Sequence, residues 1–365
     1  MDTGENVMFS LRGLYGKYGY SRYKMNKFEE YDLYAHNKDF LISDSVITFT
    51  DGSGKLLALK PDVTLSIVKN TKDGGNTPQK LYYNENVYRV AKGSRNFKEI
   101  MQAGLECIGN VDNYCIYEVL KLALGSLDII SGTNVLGVSH LGILSEVMDY
   151  VGVPSEKKTE ILRCAGEKNL HELSETLRSI GADAEKARVL TELLSLKGET
   201  DVILPKICGL IKGAVSEKTL SEFTDVISAL DTEKKLKIDF SVVGDLHYYN
   251  GFVFKGFVEG IPNSVLSGGQ YDMLMKKMGR RSGAIGFAVY LDTVEQFFRK
   301  SAEYDADALL VYGKESALSD VAREVGRIGE GGAAVLCVTD IPEGIKYKKL
   351  YRMKDGRAEE DEANS

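Results

Sequence analysis

The stretch from Asn84 to Gly109, NENVYRVAKGSRNFKEIMQAGLECIG, holds the pattern that predicts the fold. Two β-prone runs flank a polar loop that contains a glycine, which is typical of two antiparallel strands joined by a loop. In a strand, residues two apart share a face, so Gln102, Gly104 and Glu106 point to one side. The other side takes Met101, Ala103, Leu105 and Cys107. An amide and a carboxylate beside a glycine leave a slot for a small polar ligand, although a solvent-facing strand has the same pattern.

Further strands are predicted on both sides of this hairpin. Upstream, SVITFT and KLLALK flank Asp51-Gly52, which is a hairpin signal. Downstream, NVLGVSH and the segment 236–260 are strand-like, and helices with apolar stripes separate them. Residues 155–235 are charged and helical, so they read as an insertion into an antiparallel sheet. We therefore predict an α+β fold, with an antiparallel sheet flanked by helices.

The chain is predicted to have a core and a smaller C-terminal part. The core covers residues 1–300 and contains the helical insertion. Residues 306–352 alternate strand, helix and strand, which predicts a small, truncated α/β appendage. Residues 353–365 are acidic, and we expect them to form a frayed tail.

Composition narrows the class of function. The chain has 365 residues, with 46 Lys and Arg against 53 Asp and Glu, so its formal charge of −7 gives no general attraction to nucleic acid. Its 5 cysteines and 4 histidines lack metal-ligand spacing, which predicts reduced thiols and no metal site. No apolar run is long enough to span a membrane, so we expect a cytoplasmic protein.

Several other residues are candidates for ligand binding, each with a structural alternative. Arg89 ends a predicted strand, where it could clamp a carboxylate or phosphate or lie on the surface. Asp62 and Thr64 follow Pro61 at a predicted helix start, where they could simply cap the backbone. Tyr248 and Tyr249 alternate along a predicted strand, so one of them should face any cavity in the sheet.

Five segments resemble, in order, the class II aminoacyl-tRNA synthetase core in its histidyl-tRNA synthetase branch. They are LALKPDVT, NENVYRVAKGSRNFKEIMQAGLECIG, DLHYYNGFVF, SGGQYDMLMKKMG and GAIGFAVYLD. The match covers about residues 5–300, and the insertion lies where that branch carries one. The resemblance implies a sheet of six or more antiparallel strands and a self-dimer through the core.

The resemblance also implies a histidine-binding pocket. Matched by position, Gln102 and Glu106 hold the side chain and the α-amino group of histidine. The other implied pocket residues are Asp62, Thr64, Arg89 and one of Tyr248 and Tyr249. In the enzymes, the residue matching Arg89 binds the substrate carboxylate and an ATP phosphate.

Three departures from the synthetase pattern argue against catalysis. The arginine of the third motif falls on Thr293, and the histidine-specific arginine falls on Gly244. The glutamate that reads adenine falls on Ala91. Each lost guanidinium would cost on the order of 10²–10³-fold in rate, because it stabilises charge that develops in the transition state. We therefore predict that the chain does not form an aminoacyl-adenylate.

This combination resembles a non-catalytic branch of the same family, the regulatory subunits of ATP phosphoribosyltransferase. Its R-P-D-x-T pattern matches Lys60 to Thr64, with a lysine in the first place, and its Q-A-G-x-E pattern matches Gln102 to Glu106. Gln270 replaces the usual arginine of G-G-R-Y-D, and Asn26 stands where the first motif has a proline.

The resemblance implies partners and a role. The chain would join a short catalytic ATP phosphoribosyltransferase subunit, as a hetero-octamer, in the first step of histidine biosynthesis. L-Histidine would be the feedback inhibitor. The chain itself would carry no cofactor, Mg²⁺ would belong to the catalytic partner, and tRNA would not bind. Two alternatives stay open: a divergent histidyl-tRNA synthetase, and a synthetase-derived module that binds tRNA or an effector.

Overall fold

The computed structural model describes residues 3–38, 41, 46–72, 77–90, 96–230, 235–244, 248–301 and 304–361. The chain divides into two compact units, Met1–Glu295 and Gln296–Ser365. The strands formed by the described residues are β1 (Ser21–Arg22), β2 (Phe28–Glu30), β3 (Thr48–Thr50), β4 (Leu56–Leu59), β5 (Gln79–Val90), β6 (Phe97–Gly109), β7 (Asn134–His140), β8 (Lys197–Glu199), β9 (Leu236–Asp239), β10 (Phe252–Val258), β11 (Leu266–Gln270), β12 (Gly283–Tyr290), β13 (Ala306–Val311), β14 (Val335–Val338), β15 (Tyr347–Lys354) and β16 (Arg357–Glu360).

The helices of the same described ranges are α1 (Thr3–Lys17), α2 (Tyr31–Ala35), α3 (Thr64–Asn70), α4 (Asn113–Ile130), α5 (Leu141–Val151), α6 (Ser155–Gly166), α7 (Leu170–Ser179), α8 (Ala184–Ser195), α9 (Thr200–Leu210), α10 (Glu217–Ala229), α11 (Asp272–Lys277), α12 (Leu291–Ser301) and α13 (Leu318–Gly329). Among these described helices, none combines the length and the apolar character that crossing a membrane requires.

The first unit is built on a large, mainly antiparallel sheet. Its described strands follow the order β1-β5-β6-β12-β11-β10-β7-β9-β8. The β1–β5 and β7–β9 pairs are parallel, and the other neighbours are antiparallel. The expected antiparallel sheet with flanking helices is therefore present, and the β5–β6 hairpin predicted from the sequence takes the second and third places in this order.

The two faces of the central strands have different environments, as their alternation predicts. Helices α1 and α4 cover one face, where Leu105 and Cys107 are fully buried. The hydroxyls of Tyr15 and Ser126, 3.0 Å apart, join these two helices. The opposite face carries Gln102 and Glu106, which are also buried. Since buried polar groups need partners, this second face is where a binding site is expected.

A small sheet of order β2-β4-β3 leads into the second face. Lys60, at the end of β4, is 1% exposed and forms an ion pair with Glu85 of β5, so the lysine that replaces the family's arginine ties the two sheets together. Helix α3 starts at Thr64, whereas the sequence predicts a start at Pro61. The reason is that the Asp62 carboxylate, 2.9 Å from the Leu65 N–H, serves the first helical turn.

The predicted insertion consists of α6 to α10 with one short strand, β8, between them. β8 pairs with β9, which extends the large sheet at its edge. The segment is therefore helical as expected, apart from this strand.

The second unit has a sheet of order β14-β13-β15-β16, with α13 linking the parallel strands β13 and β14. This is the predicted strand–helix–strand pattern. The expected frayed tail differs, because β16 pairs with β15 from Arg357 to Glu360. Asp355-Gly356, with φ of 44° and 77°, forms the turn between them, a hairpin signal that the acidic composition obscured. Residues 362–365 of the expected tail lie outside the described residues.

Candidate functional site

A cavity of about 310 Å³ opens on the face of the sheet that carries Gln102 and Glu106. Its lining includes all seven residues proposed from the sequence, namely Asp62, Thr64, Arg89, Gln102, Glu106, Tyr248 and Tyr249. They come from α3 and the segment before it, from β5 and β6, and from the segment before β10. The structure thus brings four separate segments of sequence to one place.

Small residues form the floor of the cavity. Across the sheet, Glu106 is paired with Gly286, and Gly286 with Gly269. In the next row, Ala288 lies between Gly104 and Ser267. Cross-strand partners share a face, so these two rows place little side-chain volume above the sheet. The Glu106 carboxylate lies directly over Gly286, where a Cβ atom would collide with it.

Glu106 is the most strongly perturbed acid of the cavity. Thr64 Oγ1 donates to its Oε1 at 2.8 Å, and the Tyr271 hydroxyl donates to its Oε2 at 2.6 Å. Burial raises the pKa of Glu106 to about 8, although the two hydroxyls oppose that rise. The carboxyl is therefore largely protonated at neutral pH. An ammonium group bound beside it would favour the charged carboxylate.

Asp62 combines the two roles left open by the sequence. It caps α3 through the Leu65 N–H, and it also lines the cavity. Burial raises the pKa of its carboxyl, while the Leu65 N–H and the charge of Arg89 oppose the rise. Arg89 is fixed as well, since its Nε donates to the Pro61 carbonyl at 2.9 Å. A second carboxylate and a held guanidinium thus stand beside Glu106.

The slot expected at Gly104 is occupied by a side chain. The end of the Tyr83 ring, including its hydroxyl, lies where a Cβ atom on Gly104 would stand. Tyr83 is 2% exposed. The glycine therefore admits a buried tyrosine, and the free space for a ligand lies beside Gln102 and Glu106, above this ring.

Tyr248 and Tyr249 are not strand residues, in contrast to our prediction. Both precede β10, and both line the cavity, because the segment does not alternate faces as a strand would. Their ring centroids are 4.5 Å apart, and Tyr248 lies 5.8 Å from Tyr271. Burial raises the pKa of both hydroxyls, so they stay protonated at neutral pH.

Gln270, which stands where the family pattern has an arginine, has a structural role in this segment. Gln270 Oε1 accepts from the Phe252 N–H at 2.6 Å, and its amide lies against Gly251. Asn250 adds a hydrogen bond of 2.9 Å to Asp272. These bonds fix the chain directly after the two tyrosines. The Gly-Gly pair before Gln270 belongs to β11.

Of the three positions that argue against catalysis, the two that the structure describes lie in different parts of it. Gly244 lines the cavity, and a Cβ atom there would stand 2.5 Å from Cδ2 of Tyr249. The Tyr249 ring thus packs against the position where the synthetase pattern has an arginine. Thr293 lies in α12, away from the described cavity lining. Ala91 lies outside the described residues.

Sequence reasoning missed several contributors to the lining, among them Tyr271, Tyr290 and Lys255. Tyr271 follows the Gly-Gly-Gln of β11 directly, and its place in the quoted motif could have pointed to it. Lys255 and Tyr290 are isolated polar residues in otherwise apolar strands, and that pattern is visible in the sequence. No metal site is evident, because within the described ranges no three His, Cys, Asp or Glu side chains are grouped closely enough to hold an ion.

Known proteins share this fold and these motifs. The family model described as histidyl-tRNA synthetase matches residues 2–294. An ATP phosphoribosyltransferase regulatory subunit from Clostridium botulinum (strain Langeland) is 30% identical over 376 residues, which cover 96% of this chain and 86% of the relative.

Solved structures agree on the fold. A crystal structure titled as an ATP phosphoribosyltransferase regulatory subunit/histidyl-tRNA synthetase from Bacillus halodurans has a TM-score of 0.71 at 24% identity, covering 96% of this chain and 93% of that one. A chain of the ATP phosphoribosyl transferase (HisG:HisZ) complex from Thermotoga maritima has a TM-score of 0.61 at 16% identity, covering 79% and 97%.

The sheet, the cavity and the family model define a protein with the histidyl-tRNA synthetase type of class II core. Within that class, the chain belongs to the family of ATP phosphoribosyltransferase regulatory subunits.

Proposed function

We propose that this chain is the non-catalytic regulatory subunit of a short ATP phosphoribosyltransferase, and that it binds L-histidine in the cavity beside Glu106. The observation that carries the proposal is the contrast within one cavity. The acids and hydroxyls suited to an amino acid are in place around Glu106, whereas Gly244 stands where the synthetase pattern has a second arginine, so Arg89 is the one guanidinium of the described lining.

The family supplies the partner in this proposal. The relative from Clostridium botulinum is named as a regulatory subunit, and the Thermotoga maritima title names a complex of two kinds of subunit. By analogy, the catalytic subunit supplies the transferase chemistry with its Mg²⁺, and this chain needs no cofactor of its own. Histidine would inhibit by binding more tightly to an inactive arrangement of a hetero-octamer, since a ligand shifts only states that it binds unequally.

A second copy of the chain is part of the proposed assembly. On the small sheet, Phe28 is 48% and Phe49 is 39% exposed, and their rings pack edge to face with centroids 5.7 Å apart. Leu57 is paired with Phe49, and Leu59 with Phe28, so the four apolar side chains share one face. We assign this face to a self-dimer, and Phe49→Glu is expected to produce monomers in light scattering.

The test is a reconstituted assay. The short catalytic subunit of the same organism is measured with and without this chain, using ATP and phosphoribosyl pyrophosphate, and then with L-histidine. We expect the chain to raise the rate at least tenfold and histidine to suppress the raised rate. No activation and no co-elution of the two proteins would contradict the assignment of the partner. Activation without any effect of histidine would contradict only the sensor role.

A further inference from the structure

Lys255 is a cation in the cavity wall that the family's known motifs do not explain. It lies on β10, between Phe254 and Gly256. A Cβ atom on Gly256 would meet Leu127 of α4, so the even-numbered residues of this strand face the helices. Since neighbours in a strand alternate, the Lys255 side chain points to the cavity, which it lines.

Among the residues that the structure describes, the ammonium group of Lys255 takes part in no ion pair, hydrogen bond or ring contact. Its neighbours across the sheet are Gly137 and Ser267, both small. The Ser267 hydroxyl lies 2.5 Å from that of Tyr290. A lysine and two hydroxyls at one end of a cavity form a set of donors suited to an anion.

This end lies opposite the acids. Glu106 is on β6 and Lys255 is on β10, three strands further along and one row away in the register, which places their backbones roughly 16 Å apart. Both side chains reach inward over the floor of small residues. The space that remains between a carboxyl at one end and an ammonium at the other suits a compact molecule with both charges.

We propose that Lys255 receives the carboxylate of the amino acid and so determines specificity for a zwitterionic ligand. The proposal rests on the proposed histidine site. It explains how the cavity can hold an amino acid although Gly244 carries no arginine and Tyr249 fills the space beside it. Arg89, whose Nε is already committed to the Pro61 carbonyl, is then the support for Asp62 and not the main carboxylate receptor.

The test compares L-histidine with histamine, which has the imidazole and the ammonium group but no carboxylate. Both are titrated calorimetrically into the full-length wild-type protein and into Lys255→Met, Lys255→Arg and Arg89→Gln. Lys157→Met, at an exposed position of the insertion, is the matched control. We expect Lys255→Met to weaken histidine binding on the order of 10–100-fold and to leave histamine binding within twofold. Lys255→Arg should retain most of the affinity for histidine.

Histamine binding also reports whether the cavity of each variant is folded. If Lys255→Met keeps the wild-type preference for histidine while Arg89→Gln loses it, the assignment to Lys255 is overturned and the histidine site stands. If wild-type protein binds neither ligand, the histidine site fails, and the role of Lys255 fails with it.

Discussion

The two ends of the cavity differ in which side chains of the synthetase pattern they carry. At one end, the Glu106 carboxyl accepts hydrogen bonds from the hydroxyls of Thr64 and Tyr271, and the Asp62 carboxyl lines the same end. Around Gly244, a tyrosine ring occupies the space beside a position where related enzymes carry an arginine. The first end suits a bound amino acid, and the second has a glycine where the synthetase pattern has an arginine. Because binding and catalysis use different interactions, one can persist when the other is lost.

The largest expected effect comes from removing the charge at the Glu106 end. Glu106→Gln keeps the size of the side chain and can still accept from a hydroxyl, but it cannot pair with an ammonium group. We expect histidine affinity to fall on the order of 100-fold in calorimetry, because a buried charge-assisted hydrogen bond is lost. Glu217→Gln, in the first turn of α10, is the control, and an equal loss there would contradict the role of Glu106.

Without ligand, Glu106→Gln should become increasingly more stable than the wild type as pH rises. The folded pKa of about 8 lies above the ordinary value of 4.5, so between these values the folded state holds more protons than the unfolded state. Wild-type stability therefore falls as pH rises through this range. Relative to wild type, Glu106→Gln should gain roughly 1–3 kcal/mol in unfolding free energy between pH 5 and pH 8. A constant difference across that range, by denaturant titration, would show that Glu106 is ionised in the empty cavity.

Histidine affinity should depend on pH for the same reason. Binding of the α-ammonium group requires the charged form of Glu106, so affinity should rise about fivefold from pH 7 to pH 8, with a proton released on binding. Calorimetry in buffers of different ionisation enthalpy measures that proton. The Glu106→Gln variant, whatever its weaker affinity, should lack this rise. Proton uptake by the wild type would contradict the account.

The smallest effect is expected at the Gly244 end. Gly244→Ala adds a Cβ atom 2.5 Å from Tyr249, which must move its ring within the cavity. We expect histidine affinity to fall several-fold, by about 1 kcal/mol, because the ring can shift. Gly209→Ala, which meets no atom within 4 Å, is the control. If both alanine variants bind as the wild type does, Tyr249 does not shape the ligand's space.

Strand alternation was enough to predict part of this site. It placed Gln102 and Glu106 on the face that the structure shows to line the cavity, because the pattern within a strand is local. It failed at Tyr248 and Tyr249, because the chain directly after them is fixed by long-range hydrogen bonds that Phe252 and Asn250 donate to Gln270 and Asp272. Register across four strands places Lys255 in the row of Gly104, next to the row of Glu106, and no local pattern encodes that register. The pKa of Glu106 was also out of reach, because it depends on burial by distant segments.

The most direct test of the central claim measures binding and chemistry on one preparation. Purified full-length protein is titrated with L-histidine by calorimetry and is then assayed for histidine-dependent exchange between ATP and pyrophosphate. The account predicts saturable binding to one site per chain with no exchange above a blank. Exchange that depends on histidine would show that the chain is a synthetase. The absence of binding would show that the cavity beside Glu106 is not a histidine site.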